Sequence, residues 1–327
     1  MTTQARSIPA VEVRGLRKSF GAQLVLDGID LDVAEGTVFA LLGPNGAGKT
    51  TAIHILSTLI SADAGEVRVS GFDVARQPDL VRSVIGLTGQ VSAVDGQFTG
   101  EENLRLIADL HHLGRERGRR RVTELLERFD LVDAAAKPAM LYSGGMRRRL
   151  DLAMTLVGEP HIIFLDEPTT GLDPRSRRVM WDIVRDLVAG GVTILLTTQD
   201  LDEADRLASR IALLDGGRVV AQGTPAELKR LVPGGSVRLE FSSLPELDRA
   251  ALVLRSGSRD EHGLALQLPS DGGVHSLRAL LDRLDAERIE VDGLSVRSAD
   301  LDDVFLSLTG RRDGATPDHR AQEVPTP

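Results

Sequence analysis

Three short segments of this chain carry residue types able to hold and break a nucleotide's phosphates. Gly43-Pro44-Asn45-Gly46-Ala47-Gly48-Lys49-Thr50 fits the pattern G-x-x-x-x-G-K-[ST]. Its glycines let backbone N–H groups converge on phosphate oxygens at a helix N-terminus, where the helix dipole also favours anions. Lys49 is expected to reach the β- and γ-phosphates and the Thr50 hydroxyl to ligate Mg2+, with Thr51 in the same phosphate-binding set. Downstream, Ile162-Ile163-Phe164-Leu165-Asp166-Glu167 sets two carboxylates after four apolar strand residues. Asp166 at the strand end suits Mg2+ through its water shell, and Glu167 suits the polarising of an attacking water beside the γ-phosphate. Between them, Tyr142-Ser143-Gly144-Gly145-Met146 reads as Ser-Gly-Gly opening a helix, which makes a second anion nest.

The elements that must position these groups are legible around them. Val11–Phe20 and Leu26–Val33 alternate apolar and polar residues, as half-buried strands do. Val38–Leu42 is a continuous apolar run, the mark of a buried parallel strand, and Ile162–Leu165 and Val192–Thr197 read as two more buried strands. Helices are expected from Lys49, from the Thr99–Glu102 capping box with Leu104, Ile107 and Ala108 on one face, and over Ser176–Ala189. Strand Val219–Gly223 closes this α/β domain, a mostly parallel sheet covered on both faces.

Leu231–Ser236, which contains Pro233-Gly234-Gly235, reads as a hinge. Beyond it a smaller α+β unit is expected: strands at Val237–Phe241, Leu264–Leu268 and Ile289–Val296, and a helix from Leu301 to Leu308. A second helix there carries Leu277, Leu280, Leu281 and Leu284 at amphipathic spacing. The expected domains are 8–232 and 236–310, with a polar, disordered tail over 311–327. No internal repeat is found.

Composition narrows the function classes. At 327 residues two domains are the natural prior, and 42% hydrophobic residues allow a substantial core. A net charge of −9 argues against a nucleic-acid partner. The absence of cysteine excludes disulfides, thiol chemistry and Cys-based zinc sites. His111 and His112 are adjacent, so on a helix they diverge and cannot pinch one metal. The basic run Arg115–Arg121 reads as a solvated face, with contact to a partner or to lipid headgroups as the alternative. Neither a signal peptide nor a run of about 20 apolar residues is present, so the chain is expected to stay in the cytoplasm.

The order of the three motifs, with Gln90 between the first two, resembles the ATP-binding cassette family over about residues 10–225. The resemblance implies a P-loop NTPase nucleotide-binding domain with a mostly parallel sheet and antiparallel and helical subdomains. It implies that Ser143, Gly144 and Gly145 bind the γ-phosphate held by another copy's P-loop, so that two ATP molecules are sandwiched in a head-to-tail dimer. Gln90 then corresponds to the glutamine that touches Mg2+ and the water, and Phe20 to the aromatic that stacks on adenine. Asp173, in Gly171-Leu172-Asp173, corresponds to the residue that communicates across the dimer. Tyr142 and Met146 replace the usual Leu and Gln of the signature, and Gln199 stands where the family has a histidine that bonds the γ-phosphate. Glutamine keeps a neutral donor of similar reach but carries no proton charge, which puts the rate of hydrolysis in question.

Thr169–Arg177, Ser143–Ala153, Thr197–Asp205 and Leu301–Gly310 are similar to the daunorubicin/doxorubicin-resistance type of ATP-binding protein. That branch implies a separate multispan permease, a place on the cytoplasmic face of the membrane, and export of antibiotics or other amphipathic molecules. The competing readings are a non-transport cassette protein and a slow regulatory ATPase. Repair members would need coiled-coil or Cys-rich insertions and translation factors a second cassette, and the chain has neither.

Overall fold

The computed structural model describes residues 9–232, 235–260, 262, 264–270, 273–297 and 300–309. Pro233 and Gly234 of the expected hinge, Gly310, and the expected tail over 311–327 lie outside the described residues. The chain divides into two compact units, Met1–Pro225 and Ala226–Pro327.

In the first unit the elements follow as β1 (Val11–Phe20), β2 (Gln23–Val33), β3 (Val38–Leu42), α1 (Lys49–Leu56), β4 (Ala64–Val69), β5 (Phe72–Asp73), α2 (Pro78–Val84) and β6 (Ile85–Thr88). Then come α3 (Gly100–Leu110), α4 (Arg115–Arg128), α5 (Gly144–Thr155), β7 (Ile162–Asp166), α6 (Pro174–Ala189), β8 (Thr193–Thr198), α7 (Leu201–Leu207), β9 (Arg210–Asp215) and β10 (Arg218–Gly223). Two sheets result. One is antiparallel, in the order β2-β1-β4-β5; the other has six strands, in the order β10-β9-β3-β8-β7-β6. In the second, β9, β3, β8, β7 and β6 run parallel and only β10 turns back. Every residue of β3, β7 and β8 is buried, as in strands covered on both faces. One apolar cluster joins Val11, Val13 and Leu31 of the antiparallel sheet to Ile53 and Leu56 of α1 and to Phe39, Phe164 and Leu195 of the parallel one. The two sheets therefore share a core and cannot shift independently without opening it.

The helical segment between β6 and β7 rests on its own local signals. Thr99 accepts from the Glu102 backbone while the Glu102 side chain accepts from the Thr99 backbone, so the capping box is formed. Leu104 and Ala108 are buried behind it, and Ile107 is half-buried. The basic run becomes the first half of α4 and is exposed apart from buried Gly118 and half-buried Arg121.

The second unit holds α8 (Pro225–Lys229, which begins at the division), β11 (Ser236–Glu240), α9 (Leu244–Leu254), β12 (Ser258–Asp260), β13 (Ala265–Pro269), α10 (Val274–Ala286), β14 (Gly293–Arg297) and α11 (Leu301–Thr309). Its sheet is antiparallel, in the order β12-β13-β11-β14. Val237, Leu239, Leu247, Ala250, Leu266, Leu268 and Leu284 form its core. One expectation needs correction. The strand expected over Ile289–Val296 is shorter, because Ile289 is drawn into the core just after α10, its N–H donating to the Leu284 carbonyl. The four leucines expected on one helix face lie on α10: Leu284 is buried, Leu277 and Leu280 are half-buried against the same core, and Leu281 is half-buried. Helix α9 and strands β6 and β9 had no sequence reading at all. Among the described residues no helix is long and apolar enough to cross a membrane.

Candidate active site

Strand register brings the chemistry to one edge. Leu42 of β3 pairs with Thr198 of β8, Asp166 of β7 with Thr197, and Thr88 of β6 with Leu165. Gly43, Glu167 and Gln199 each follow directly on an aligned strand end, and Gln90 comes two residues after Thr88. The C-terminal edge of a parallel sheet is where α/β folds gather ligand-binding groups, because the loops there end against helix N-termini.

The phosphate loop is shaped by positions that exclude side chains. Gly48 caps α1 at φ 104°, and a Cβ on it would meet Leu26 Cδ2 at 2.6 Å and the Val25 carbonyl at 2.9 Å. At Gly43 a Cβ would lie 2.2 Å from the Leu214 carbonyl oxygen. Pro44, Asn45, Gly46 and Ala47 complete the turn, and Thr51 follows Thr50 in the first turn of α1. The Lys49 ammonium is buried, donates to the Gly43 and Pro44 carbonyls at 2.8 and 3.0 Å, and lies 3.6 Å from Glu167 Oε1. Burial pulls its pKa down, opposed by the Glu167 and Asp166 carboxylates.

A chain of contacts links the other strand ends. The Gln90 amide donates to Thr50 Oγ1 at 3.2 Å, and that hydroxyl donates to Asp166 Oδ1 at 3.2 Å. Thr197 Oγ1 also donates to Asp166 Oδ1, at 2.5 Å, and accepts from the Glu167 N–H at 3.1 Å. Thr170 Oγ1 donates to Glu167 Oε2 at 3.1 Å. Glu167 itself sits in the left-handed region at φ 48°. A residue with a Cβ pays about 1–2 kcal/mol for that conformation, and such strain persists only where the surroundings over-determine it.

The remaining candidates lie at the rim. Ser143 is exposed and caps α5 by accepting from the Met146 N–H at 3.2 Å, with Gly144 and Gly145 in the first turn. Gly145 packs against α6, where a Cβ would come within 2.5 Å of Ser176 Oγ. Tyr142 turns inward, its hydroxyl donating to the Ala134 carbonyl at 2.6 Å, so its place in the motif is structural. A cleft of about 280 Å³ runs between Gln90, Gly144, Arg147, Arg148, Glu167 and Leu172. Phe20 is 51% exposed with the Lys18 ammonium 5.5 Å from its ring centre, so it is a presented face and no core residue. Gln199 is exposed beyond β8. Asp173 caps α6 and accepts from Ser176 Oγ at 2.6 Å, and that bond holds its pKa below the usual carboxylate range.

Sequence reasoning missed Thr197, Thr170 and Arg148. The threonines look like ordinary strand and turn residues, and Arg148 is one of three consecutive arginines. Its one sequence signal is Asp151 three residues on, an ion-pair spacing along a helix.

A P-loop NTPase is the class that this sheet order and this set of strand-end residues define. A family model for ABC transporters matches residues 26–170. Daunorubicin resistance ATP-binding protein DrrA2 of Streptomyces coeruleorubidus is 51% identical over 308 residues, 93% of this chain and 96% of the relative. Daunorubicin/doxorubicin resistance ATP-binding protein DrrA of Streptomyces peucetius is 46% identical, with 92% of each chain covered. Among solved structures, an ATP-binding subunit of an ABC transporter aligns with a TM-score of 0.61 and 31% identity, over 68% of this chain and 92% of that one. A dimeric ATP-binding cassette in a post-hydrolysis state with ADP and phosphate aligns at 0.60 and 26%, over 65% and 98%. The chain belongs to the ABC transporter family, as one of its ATP-binding ATPase subunits of the daunorubicin/doxorubicin-resistance type.

Proposed function

We propose that the chain hydrolyses MgATP between two of its own copies and drives a separate membrane permease that expels a drug-like amphipathic compound. The observation that carries this is the cluster at the strand ends: Lys49, Thr50, Gln90, Asp166 and Glu167 converge beside a loop open to phosphate. Thr50 Oγ1, the Asp166 carboxylate and the Gln90 amide are hard donors that fit Mg2+, which keeps several waters and takes few protein ligands. When bound, Mg2+ neutralises charge on the β- and γ-phosphates.

The chain's own residues do the rest. The N–H groups of Asn45–Thr50 cradle the phosphates, and Lys49, now held by two loop carbonyls, exchanges them for phosphate oxygens. Glu167 takes a proton from the attacking water, while Gln199 offers a neutral hydrogen bond to the γ-phosphate. Phe20 supplies a ring for the adenine. Ser143 and the amides behind it serve the nucleotide on the opposite copy, with Asp173 at the seam; the dimeric cassette among the solved structures supports pairing of two copies. Membrane attachment on the cytoplasmic side is then through the permease, whose spans would hold the cargo.

The second unit is read as a contact module, since it offers no phosphate loop. On its edge strand β14, Leu294 and Val296 are 40% and 41% exposed on the face where their register partners Leu239 and Val237 are buried. Truncation near Pro233 should keep ATP binding and lose complex assembly or transport.

Glu167→Gln tests the central claim. It keeps shape and hydrogen bonding but removes the base, so turnover should fall by about 10²–10⁴ with MgATP still bound. Accumulation of a nucleotide-bound dimer on size exclusion is the second expected sign. Near-normal turnover would move the base elsewhere. Wild-type turnover that stays very slow with the permease present would favour the regulatory reading that Gln199 invites.

A further inference from the structure

Glu167 holds a backbone conformation that its own residue type disfavours, and one side chain outside the recognised motifs surrounds that turn. Arg148 lies on α5, five residues past Ser143. Its guanidinium donates to the Pro168 carbonyl at 2.8 Å, to the Asp166 carbonyl at 3.2 Å and to the Glu167 carbonyl at 3.3 Å. All three acceptors of the left-handed turn are thus tied to one rigid, planar group. On the other side Arg148 donates to the Gly89 carbonyl at 2.8 Å, the residue before Gln90. Its carboxylate neighbour Asp151, 3.4 Å away, accepts from the Ala93 N–H at 3.2 Å, three residues past Gln90.

We infer that Arg148 is a positioning residue: it locks the turn of Glu167 and the segment of Gln90 to the helix that Ser143 caps, so that the three move as one body. The consequence is specific to a sandwich of two copies. Ser143 serves one nucleotide while Glu167 and Gln90 serve the other, and Arg148 ties them directly within a single chain.

The chemistry of the site requires arginine. The side chain is only 12% exposed, and burial lowers its pKa against the opposing pull of Asp151, Asp166 and Glu203. A guanidinium remains charged in such a place, and its fork spans carbonyls on two sides at once. Lysine offers a point charge that reaches one side, and glutamine a short neutral amide.

The inference rests on the reading of Glu167 as the base, so its test carries that reading as a control. ATPase kinetics are measured on the full-length chain for wild type, R148Q, R148K, E167Q and R148Q/E167Q, with binding followed by a fluorescent N-methylanthraniloyl ATP. R148Q should lower kcat by about 10- to 100-fold, the usual penalty for a displaced catalytic group, with KM and analogue affinity within about threefold. R148K should recover part of kcat. Because both residues act on one step, R148Q added to E167Q should change the residual rate by less than about twofold. A kcat within about threefold of wild type in R148Q, beside a disabled E167Q, would overturn the role of Arg148 alone. Equal loss of kcat and analogue affinity in both R148Q and R148K, or multiplicative losses in the double variant, would also overturn it, by showing general support of the fold. An inactive wild type, or E167Q at the wild-type rate, would instead sink the assignment of Glu167, and this inference with it.

Discussion

The C-terminal edge of the six-stranded sheet and the four-stranded sheet of the second unit solve opposite problems. At the first, Lys49, Asp166, Thr197, Thr198 and Glu203 are buried polar or charged groups held by one another and by backbone carbonyls. At the second, the core is apolar, and the charges pair on the surface, as Arg238 does with Glu240 and Asp260. Burying a charge costs several kcal/mol before its partners repay it, so a fold bears that cost where the group has work to do. Among the described residues of the second unit no charged side chain is buried, and the buried polar residue is Ser236, which accepts from the Gln267 amide at 3.1 Å; that unit also exposes apolar side chains at its edge and face, such as Leu294, Val296 and Leu306.

The contrast predicts that function and stability respond separately. Its largest expected effect is the fall of about 10²–10⁴ in turnover for Glu167→Gln, which should leave hydrogen exchange in residues 236–297 unchanged by mass spectrometry. Faster exchange there would mean that the two regions are not independent. The mirror variant is Leu239→Ala, at a fully buried position. It should cost about 2–5 kcal/mol in the second unit, seen as faster exchange over β11 and β13, with affinity for a fluorescent ATP analogue unchanged. Lost affinity would contradict the contrast.

A smaller effect is expected at Gly48→Ala. The strain of a Cβ at φ 104° is worth at least about 1–2 kcal/mol, so analogue affinity should weaken by about 5- to 30-fold. Unchanged affinity would show that the loop relaxes at no cost. The smallest is a pH effect at Glu203, where Thr169 Oγ1 donates to one carboxylate oxygen at 2.8 Å and Trp181 Nε1 at 3.2 Å. Burial raises this pKa above 4.5, the ordinary value. The folded state then binds the proton more tightly than the unfolded chain. The resulting stability is present below the ordinary carboxylate range and is lost as pH rises through the folded-state value. Glu203→Gln should flatten the fall in melting temperature as pH rises above the ordinary carboxylate range; an identical slope would place the titrating group elsewhere.

Local rules explain what could be read in advance. Val38–Leu42 and Ile162–Leu165 are continuous apolar runs and Val192–Thr197 is mostly apolar, the pattern of strands covered on both faces, and β3, β7 and β8 form there. Thr99 and Glu102 close a capping box within four residues. Helix α9 escaped because Leu247, Ala250 and Leu254 make a short apolar stripe that starts at a proline, with no cap bond from Ser243. The strand expected at Ile289 was misplaced because an isoleucine after a helix can fill a core as well as extend a sheet.

The order of residues by itself determined the phosphate loop, the two acids and the Ser-Gly-Gly turn, because each is a demand of backbone geometry made over a few neighbouring positions. Which strand ends lie side by side was decided only by the sheet order β3-β8-β7-β6, a long-range pairing that no local spacing encodes. That pairing put Thr197 against Asp166 and Gln90 against Thr50. It also chose among Arg147, Arg148 and Arg149. Arg149 reaches the Phe129 and Asp130 carbonyls, and Arg147 those of Ala139 and Met140, while Arg148 alone turns to the carbonyls around Glu167. Three identical side chains on one helix point about 100° apart, and only the packing of that helix against the sheet assigns one of them to the catalytic turn.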